Sequence, residues 1–281
     1  CLEKPLTPRA RAVRQILRLG TAQLLFLETP PHAAVDTSVN LAGADTRTET
    51  YKNLVNAILH RLARDGATMI AQQDAPRLNT PDWMWASWRV VYGEETCRAI
   101  ATAHLSPAPL DIAVKADPAV WAERLGAERL VNDALRLPGS TPVAALPGFA
   151  EGAWWVQDAA AQMPARLLAE VAGDLSGLSI ADIGAAPGGK TAQLASAGAR
   201  VTAVDRSGTR LTILRQNMER LKLDVDVVEA DARTWRPEAR LDAVLLDAPC
   251  SATGTIRRHP DILHLRRPEE ALKAAWTFAP F

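Results

Sequence analysis

Cysteine is scarce, long apolar runs are missing and neither sign of charge dominates; each absence removes a class of answer. The three cysteines of the 281-residue chain, Cys1, Cys97 and Cys250, are widely spaced and form no C-x-x-C pair. That excludes a disulfide framework and a structural zinc site and fits a reducing compartment. No metal is expected. No uninterrupted apolar stretch approaches the roughly 20 residues needed to cross a bilayer, and the N-terminus lacks the charged, apolar and small-residue order of a signal peptide. A soluble, cytoplasmic protein is the expectation. Lys plus Arg number 32, as do Asp plus Glu, so a polyanionic partner must be held by local basic patches rather than by the field of the whole protein. Internal repeats and low-complexity tracts are absent too.

The chain is long enough for two or three compact units, and its character changes twice. Val13, Ile16, Leu17, Leu24 and Leu25 recur at helical spacing between Arg9 and Leu27, and Leu54, Val55, Ile58, Leu59 and Leu62 repeat the pattern. They predict a small all-α domain over residues 1–72, so close to Cys1 that opening elements of the bundle are expected to be missing. A polar linker from Asp74 to Pro81 leads into "PDWMWASWRVVYGEE", a tryptophan-rich helix, and then "PLDIAVKADPAVWAERL", a strand followed by a helix. Residues 73–150 are read as a small α/β connector. Trp83, Trp85 and Trp88 could stack on bases, but their mixed helical spacing favours core between domains. From Glu151 onward short apolar strands alternate with amphipathic helices, at Leu178–Ile183, Arg200–Val204, Val225–Glu229 and Leu241–Leu246. This predicts a doubly wound parallel α/β domain over 151–281, with functional residues at the carboxyl ends of its strands.

In "ADIGAAPGGKTAQLA" a strand ends at Ile183, Gly184 to Gly189 make a tight turn and a helix opens near Lys190, so that free amides approach a ligand closely. Gly184 and Gly189-Lys190-Thr191 also satisfy the phosphate-loop pattern G-x-x-x-x-G-K-T, with "AVLLDAP" as an acidic strand end for magnesium. Against that stands Asp205, which closes "RVTAVDRS" about 20 residues after the turn, the spacing at which a carboxylate meets ribose hydroxyls. Asp231 and Asp247 close the third and fourth strands. One such acid is equally well a loop or helix cap. Three in succession beside a glycine turn suit a ligand with hydroxyls, an amine and a cationic centre, and repel a triphosphate unless metal occupies most of them. The fourth strand runs into "LLDAPCSATGTIRRHP", where Cys250 follows Pro249. A tight loop beside an acid favours a functional thiol over a buried inert one.

Taken together, "AAPGGKT", "VDRSGTRLTILRQNMERL", "EADART" and "LLDAPCSATGTIRRHPDI" resemble the Sun family of RNA cytosine-C5 methyltransferases. "ILRLGTAQLLFLETPPHAAVDTSVNLA" and "KNLVNAILHRLAR" resemble its NusB-like RNA-binding domain, and "WWVQDAAAQMPARLL" its entry into the catalytic domain. The resemblance implies a class I, Rossmann-like methyltransferase fold, S-adenosylmethionine as cofactor, small-subunit ribosomal RNA as substrate, and a monomer. By position it assigns Gly184, Ala185, Ala186, Pro187, Gly188, Gly189 and Lys190 to the loop around the methionine and sugar of the cofactor. Asp205 would take the ribose hydroxyls with Arg210 nearby, Asp231 the region of the adenine amine, and Asp247 would lie between cofactor and target base. Ala252 stands where the family often has glycine.

Cytosine C5 is too weak a nucleophile to take a methyl group unaided, so a thiolate first adds at C6. The family resemblance implies two cysteines: an attacker in a Thr-Cys-Ser motif on a later strand, and one after proline that assists product release. By that likeness Cys250 is the helper. No cysteine follows Cys250, and a fifth strand and closing hairpin have no counterpart before Phe281. Stretches of the polypeptide are therefore expected to be absent from this sequence, which leaves the catalytic domain incomplete at its C-terminus. For RNA contact, Arg257, Arg258, His259, Arg266 and Arg267 cluster just after the catalytic loop, where a phosphate backbone would pass; a solvated loop with scattered charge is the bland alternative. One of Trp154 and Trp155 is expected under the sheet, with Gln157 and Asp158 facing the cleft. A P-loop nucleotidase and a non-catalytic RNA-binding scaffold stand as rival readings.

Overall fold

The computed structural model describes residues 2, 6–138, 142–248 and 250–270; Cys1, Pro249 and the tail from 271 lie outside the described residues. The chain divides into two compact units, Cys1–Leu105 and Ser106–Phe281.

In the first unit α1 (Arg11–Leu25), α2 (Pro31–Gly43) and α3 (Lys52–Ala71) each bury one stripe, and Val13, Ile16 and Leu17 meet Val35, Val55, Ile58 and Leu59 in a common core. Their close approach rests on Gly20, where a Cβ would stand 2.7 Å from Leu59 Cδ1. Leu, Ile and Val mark the stripes of α1 and α3. The stripe of α2 is Ala34, Val35, Ser38 and Ala42, groups too small to leave a strong apolar period, and the sequence alone does not separate it. A short α4 (Ala75–Leu78) precedes α5 (Asp82–Ala103), which Gly93 breaks with φ 82° and ψ 169°. Its two halves pack Trp85 against Cys97 and Ala101, with Trp88 partly buried beside them. Trp85 thus takes a core role, inside its own helix pair.

The second unit opens with an antiparallel sheet: β1 (Leu110–Val114), β2 (Glu128–Arg129), β3 (Leu135–Leu137) and β4 (Trp154–Val156), in the order β2-β3-β1-β4, with α6 (Pro118–Leu125) after β1. Residues 73–150 therefore make no unit of their own. The stretch 73–105 belongs with the helical unit, and β4, from beyond 150, completes the sheet by pairing Val156 with Ile112. Alternation along β4 explains the sharing, because successive side chains point to opposite faces. Trp154 enters a core with Ile112, Leu135 and Leu137, while Trp155 packs with Ala113, Ala185, Ala203 and Leu211.

After α7 (Met163–Ala172) come β5 (Ser179–Ile183), α8 (Gly189–Ser196), β6 (Arg200–Asp205), α9 (Gly208–Leu221), β7 (Asp226–Glu229), β8 (Ala243–Leu246) and α10 (Ile262–Leu265). The four strands form a parallel sheet in the order β7-β6-β5-β8. The chain winds outward from β5 to β7 and then crosses to the far side of β5, so the order reverses between β5 and β8. At such a switch point the carboxyl ends of the strands open a crevice for ligands. Register sets Ile183 level with Val204 and Leu246, and Asp205 level with Glu229. Among the described residues no helix is long and apolar enough to cross a membrane.

Candidate cofactor and catalytic site

Gly184 leaves β5 with φ 79°, and a Cβ there would stand 2.6 Å from the Asp247 carbonyl oxygen. Only glycine supplies both the left-handed backbone and the room. The amides of Gly184 and Ala185 donate to Val204 O at 2.8 and 3.2 Å, Ala186 N donates to Asp205 Oδ2 at 3.2 Å, and Pro187 follows Ala186 in cis. Gly188, at φ 106°, brings the backbone against Leu214 and Met218 of α9 and caps α8. The stretch from Gly184 to Lys190 is one tight turn fastened to β6 and β8, with the first amides of α8 at its end.

Beneath the turn Asp182 is fully buried on β5. Its Oδ2 accepts the Thr191 hydroxyl at 2.6 Å, and its Oδ1 has no partner among the described residues. Burial pushes the carboxyl up to about 6, which the Thr191 hydrogen bond and the Lys190 charge offset only in part. Lys190 reaches across the switch point and donates to Asp247 Oδ2 at 2.7 Å, leaving the Asp247 side chain about half exposed. Cys250, on the loop that follows, is exposed, and its Sγ accepts the Ala252 amide at 3.3 Å. Ala252 has φ 59°, a backbone that favours the glycine expected there.

Asp205, the last residue of β6, has its Oδ1 bound by Ser207 N at 3.0 Å, while Oδ2 receives Ala186 N and lies 3.3 Å from Arg210 Nη1. Arg210 also donates to the Ala186 carbonyl, so its guanidinium ties Asp205 to the turn. Asp231 lies two residues past β7 and is gripped by the Arg233 guanidinium and amide, which hold its carboxyl well below the usual range. The three acids do end successive strands, yet each already has a cation: Arg210, Arg233 and Lys190.

In the basic segment Arg257 Nε donates to Ser106 O at 3.3 Å, Arg258 pairs with Asp158 at 2.6 Å, and Arg266 lies 3.8 Å from Glu270. His259 and Arg267 are exposed. Gln157, expected in the cleft, is instead buried: it accepts Trp155 Nε1 and donates to Gln193 Oε1, both at 2.7 Å. A buried amide is retained where such bonds satisfy it, and this one fixes α8 to β4. Among the described residues no group of three or more His, Cys, Asp or Glu is placed to hold a metal.

Residues 167–276 match the family described as 16S rRNA methyltransferase RsmB/F, and residues 1–64 match the NusB family. The ribosomal RNA small subunit methyltransferase B of Cronobacter sakazakii is 37% identical over 96% of this chain and 65% of its own length. That of Citrobacter koseri is 36% identical, over 98% of this chain and 67% of its own length. The chain belongs to the RsmB/F family. It spans 65% of the length of the Cronobacter relative. The structure of NSun6 from Pyrococcus horikoshii with SFG shares the fold, with a TM-score of 0.60 at 18% identity over 70% of this chain and 77% of that one. In this RsmB/F chain the Gly-Lys-Thr string is not a magnesium loop. The Thr191 hydroxyl that would ligate the ion is buried and donates to Asp182. Asp182, and the role of Thr191 as its partner beneath the turn, are what the motif reading passes over. Their signal was an acid inside the apolar run "LSIADIG", a place where a carboxyl survives only with a hydrogen bond or a proton.

Proposed function

We propose that the chain is the cofactor- and RNA-binding part of an enzyme that methylates C5 of a cytosine in small-subunit ribosomal RNA, working as a cytoplasmic monomer with S-adenosylmethionine. The observation that carries this is the meeting of Lys190 and Asp247 across the switch point, beside the glycine turn and with exposed Cys250 on the same loop. The donor set suits that cofactor. A carboxylate offers about four acceptor positions, and Asp205 uses three, for two amides and a guanidinium, which leaves one for a ribose hydroxyl. Asp231 and the turn from Gly184 to Lys190 would hold the adenine and the methionine ends. When bound, the cofactor supplies an electrophilic methyl group.

The protein's own groups act on the base. The thiolate of the Thr-Cys-Ser motif, which this sequence does not contain, adds at C6 and loads electron density onto C5; once C5 carries the methyl group, a base takes the C5 proton and the C6–S bond breaks with its electron pair leaving on sulfur, which restores the ring. Cys250 assists that elimination and Asp247 orients the base next to it. Residues 1–72 bind RNA separately.

The test is a denaturing gel on a polypeptide that includes the Thr-Cys-Ser strand. Cys250→Ala should accumulate a slow protein–RNA band that requires S-adenosylmethionine and not magnesium. Adding Asp205→Ala should raise the cofactor concentration for half-maximal adduct by about tenfold, as loss of a hydrogen bond worth ~1–3 kcal/mol implies. If Cys250→Ala abolishes adduct and methylation together, Cys250 is the attacker. If the unaltered polypeptide neither methylates RNA nor binds the cofactor, the scaffold reading takes its place.

A further inference from the structure

Beside the glycine turn, one indole and two carboxamides are joined by hydrogen bonds that all run in one direction. Trp155 Nε1 donates to Gln157 Oε1 at 2.7 Å, Gln157 Nε2 to Gln193 Oε1 at 2.7 Å, and Gln193 Nε2 to the Gln162 carbonyl at 3.1 Å. Gln157 Nε2 also donates to the Ala161 carbonyl at 3.1 Å, and the Gln162 side chain returns to the Gln157 carbonyl at 3.0 Å. An indole N–H can only donate and a backbone carbonyl can only accept, so the two ends fix the orientation of both carboxamides between them. Gln157 and Gln162 are buried. Bonds in such a chain polarise one another, and a buried amide left without its partner costs more than the bond was worth.

This relay meets the turn at two points. Gln193 lies four residues after Gly189, on the same face of α8, and a Cβ at Gly189 would stand 3.3 Å from Gln157 Cδ. The Gln157 carboxamide thus takes the place of the side chain that residue 189 lacks while it grips residue 193. Trp155, at the head of the relay, shares a buried core with Ala185 and Ala186 of the turn and Ala192 of α8. We propose that Gln157 and Gln193 are positioning residues for S-adenosylmethionine: they act through the turn, setting where the first turns of α8 stand and so where its first amides point. A binding site whose supporting contacts loosen loses its productive geometry. The inference rests on the reading of Gly184 to Lys190 as the cofactor turn.

Calorimetry with S-adenosylhomocysteine, the demethylated cofactor, tests it on the chain as it stands. Gln157→Met and Gln193→Met keep side-chain length but break the relay, and each should weaken binding about tenfold, the effect of one buried hydrogen bond lost. Because both act through one relay, the double variant should bind about as well as either single one. Linkage gives a second measurement that needs no variant: if an intact relay favours the ligand tenfold, the ligand favours an intact relay tenfold. Saturating S-adenosylhomocysteine should therefore slow hydrogen exchange at the Trp155 indole about tenfold. Exchange at the Trp154 indole, which donates to Pro147 O at 2.9 Å in the other core, should not change. Equal slowing at both indoles, or undiminished affinity in both folded variants, overturns this inference alone. If the unaltered chain binds no S-adenosylhomocysteine, the cofactor reading falls with it.

Discussion

Asp182 sits where the sheet leaves least room for charge, and its consequence is a pH dependence of unusual sign for an acid. Its carboxyl, raised to about 6 by burial, keeps its proton in the folded chain at a pH where the unfolded chain, near 3.8, has lost it. The unfolded state then binds fewer protons, so stability falls as pH rises from about 4 to about 6 and this contribution is gone above that. Two units correspond to something on the order of 3 kcal/mol. Asp182→Asn keeps an acceptor for Thr191 and removes the titration. Its urea midpoint, relative to the unaltered chain, should therefore climb between about pH 4 and about pH 7; a constant difference would mean that Asp182 titrates as an ordinary carboxyl. Asp111 acts in the opposite sense. Burial alone would raise it, but the Arg136 fork and the Ala159 amide lower it on balance, so its stabilisation is lost as pH falls, equally in both chains.

At the scale of elements, the carboxyl end of α9 shows what holds the second unit together. Helix ends carry orphan carbonyls, and here Lys115 donates to Leu221 O while Arg220 donates to Phe149 O at 2.7 Å and Trp154 O at 3.1 Å, its guanidinium 4.1 Å from the Phe149 ring. Gly152 closes this clasp at φ 71°, where a Cβ would stand 2.1 Å from the Arg220 carbonyl oxygen. Gly152→Ala combines left-handed strain with a backbone collision and should cost about 3 kcal/mol, read as a lower urea midpoint; an unchanged midpoint would show that the loop moves aside freely. No pattern in the sequence announces the clasp, since its partners lie 66 to 106 residues apart. The parallel strands were legible because apolar runs bounded by Gly and Asp repeat at βαβ spacing. The place of β4 was not, because strand pairing and alternating burial decide it rather than composition. α2 stayed hidden for the related reason that its buried face is made of small side chains.

Across the whole molecule, basic and acidic residues balance, and at the strand ends the balance is local: each of the three acids is met by a cation, and the motifs show both residues but not their pairing. Acids at strand ends follow from order along the chain, whereas Arg210 on Asp205 and Arg258 on Asp158 follow from the fold. The RNA binding proposed above would have to compete with such pairs. An exposed ion pair is worth at most about 1 kcal/mol, so a phosphate can take the Arg258 guanidinium from Asp158, both partners being about 40% exposed. Replacing Arg257 and Arg258 by Gln should lower the salt slope of RNA binding by about one to two units, at 0.7 to 0.9 for each lost phosphate contact, and leave cofactor affinity unchanged. Part of the RNA affinity should survive through residues 1–64, which match the NusB family. Asp158→Asn separates this from a structural role for Arg258. With the competing carboxylate gone, RNA should bind more tightly at low salt and with a steeper slope. If Asp158→Asn leaves RNA affinity where it was or weakens it, Arg258 serves only to hold its loop against Asp158, and the phosphate path lies elsewhere on the protein.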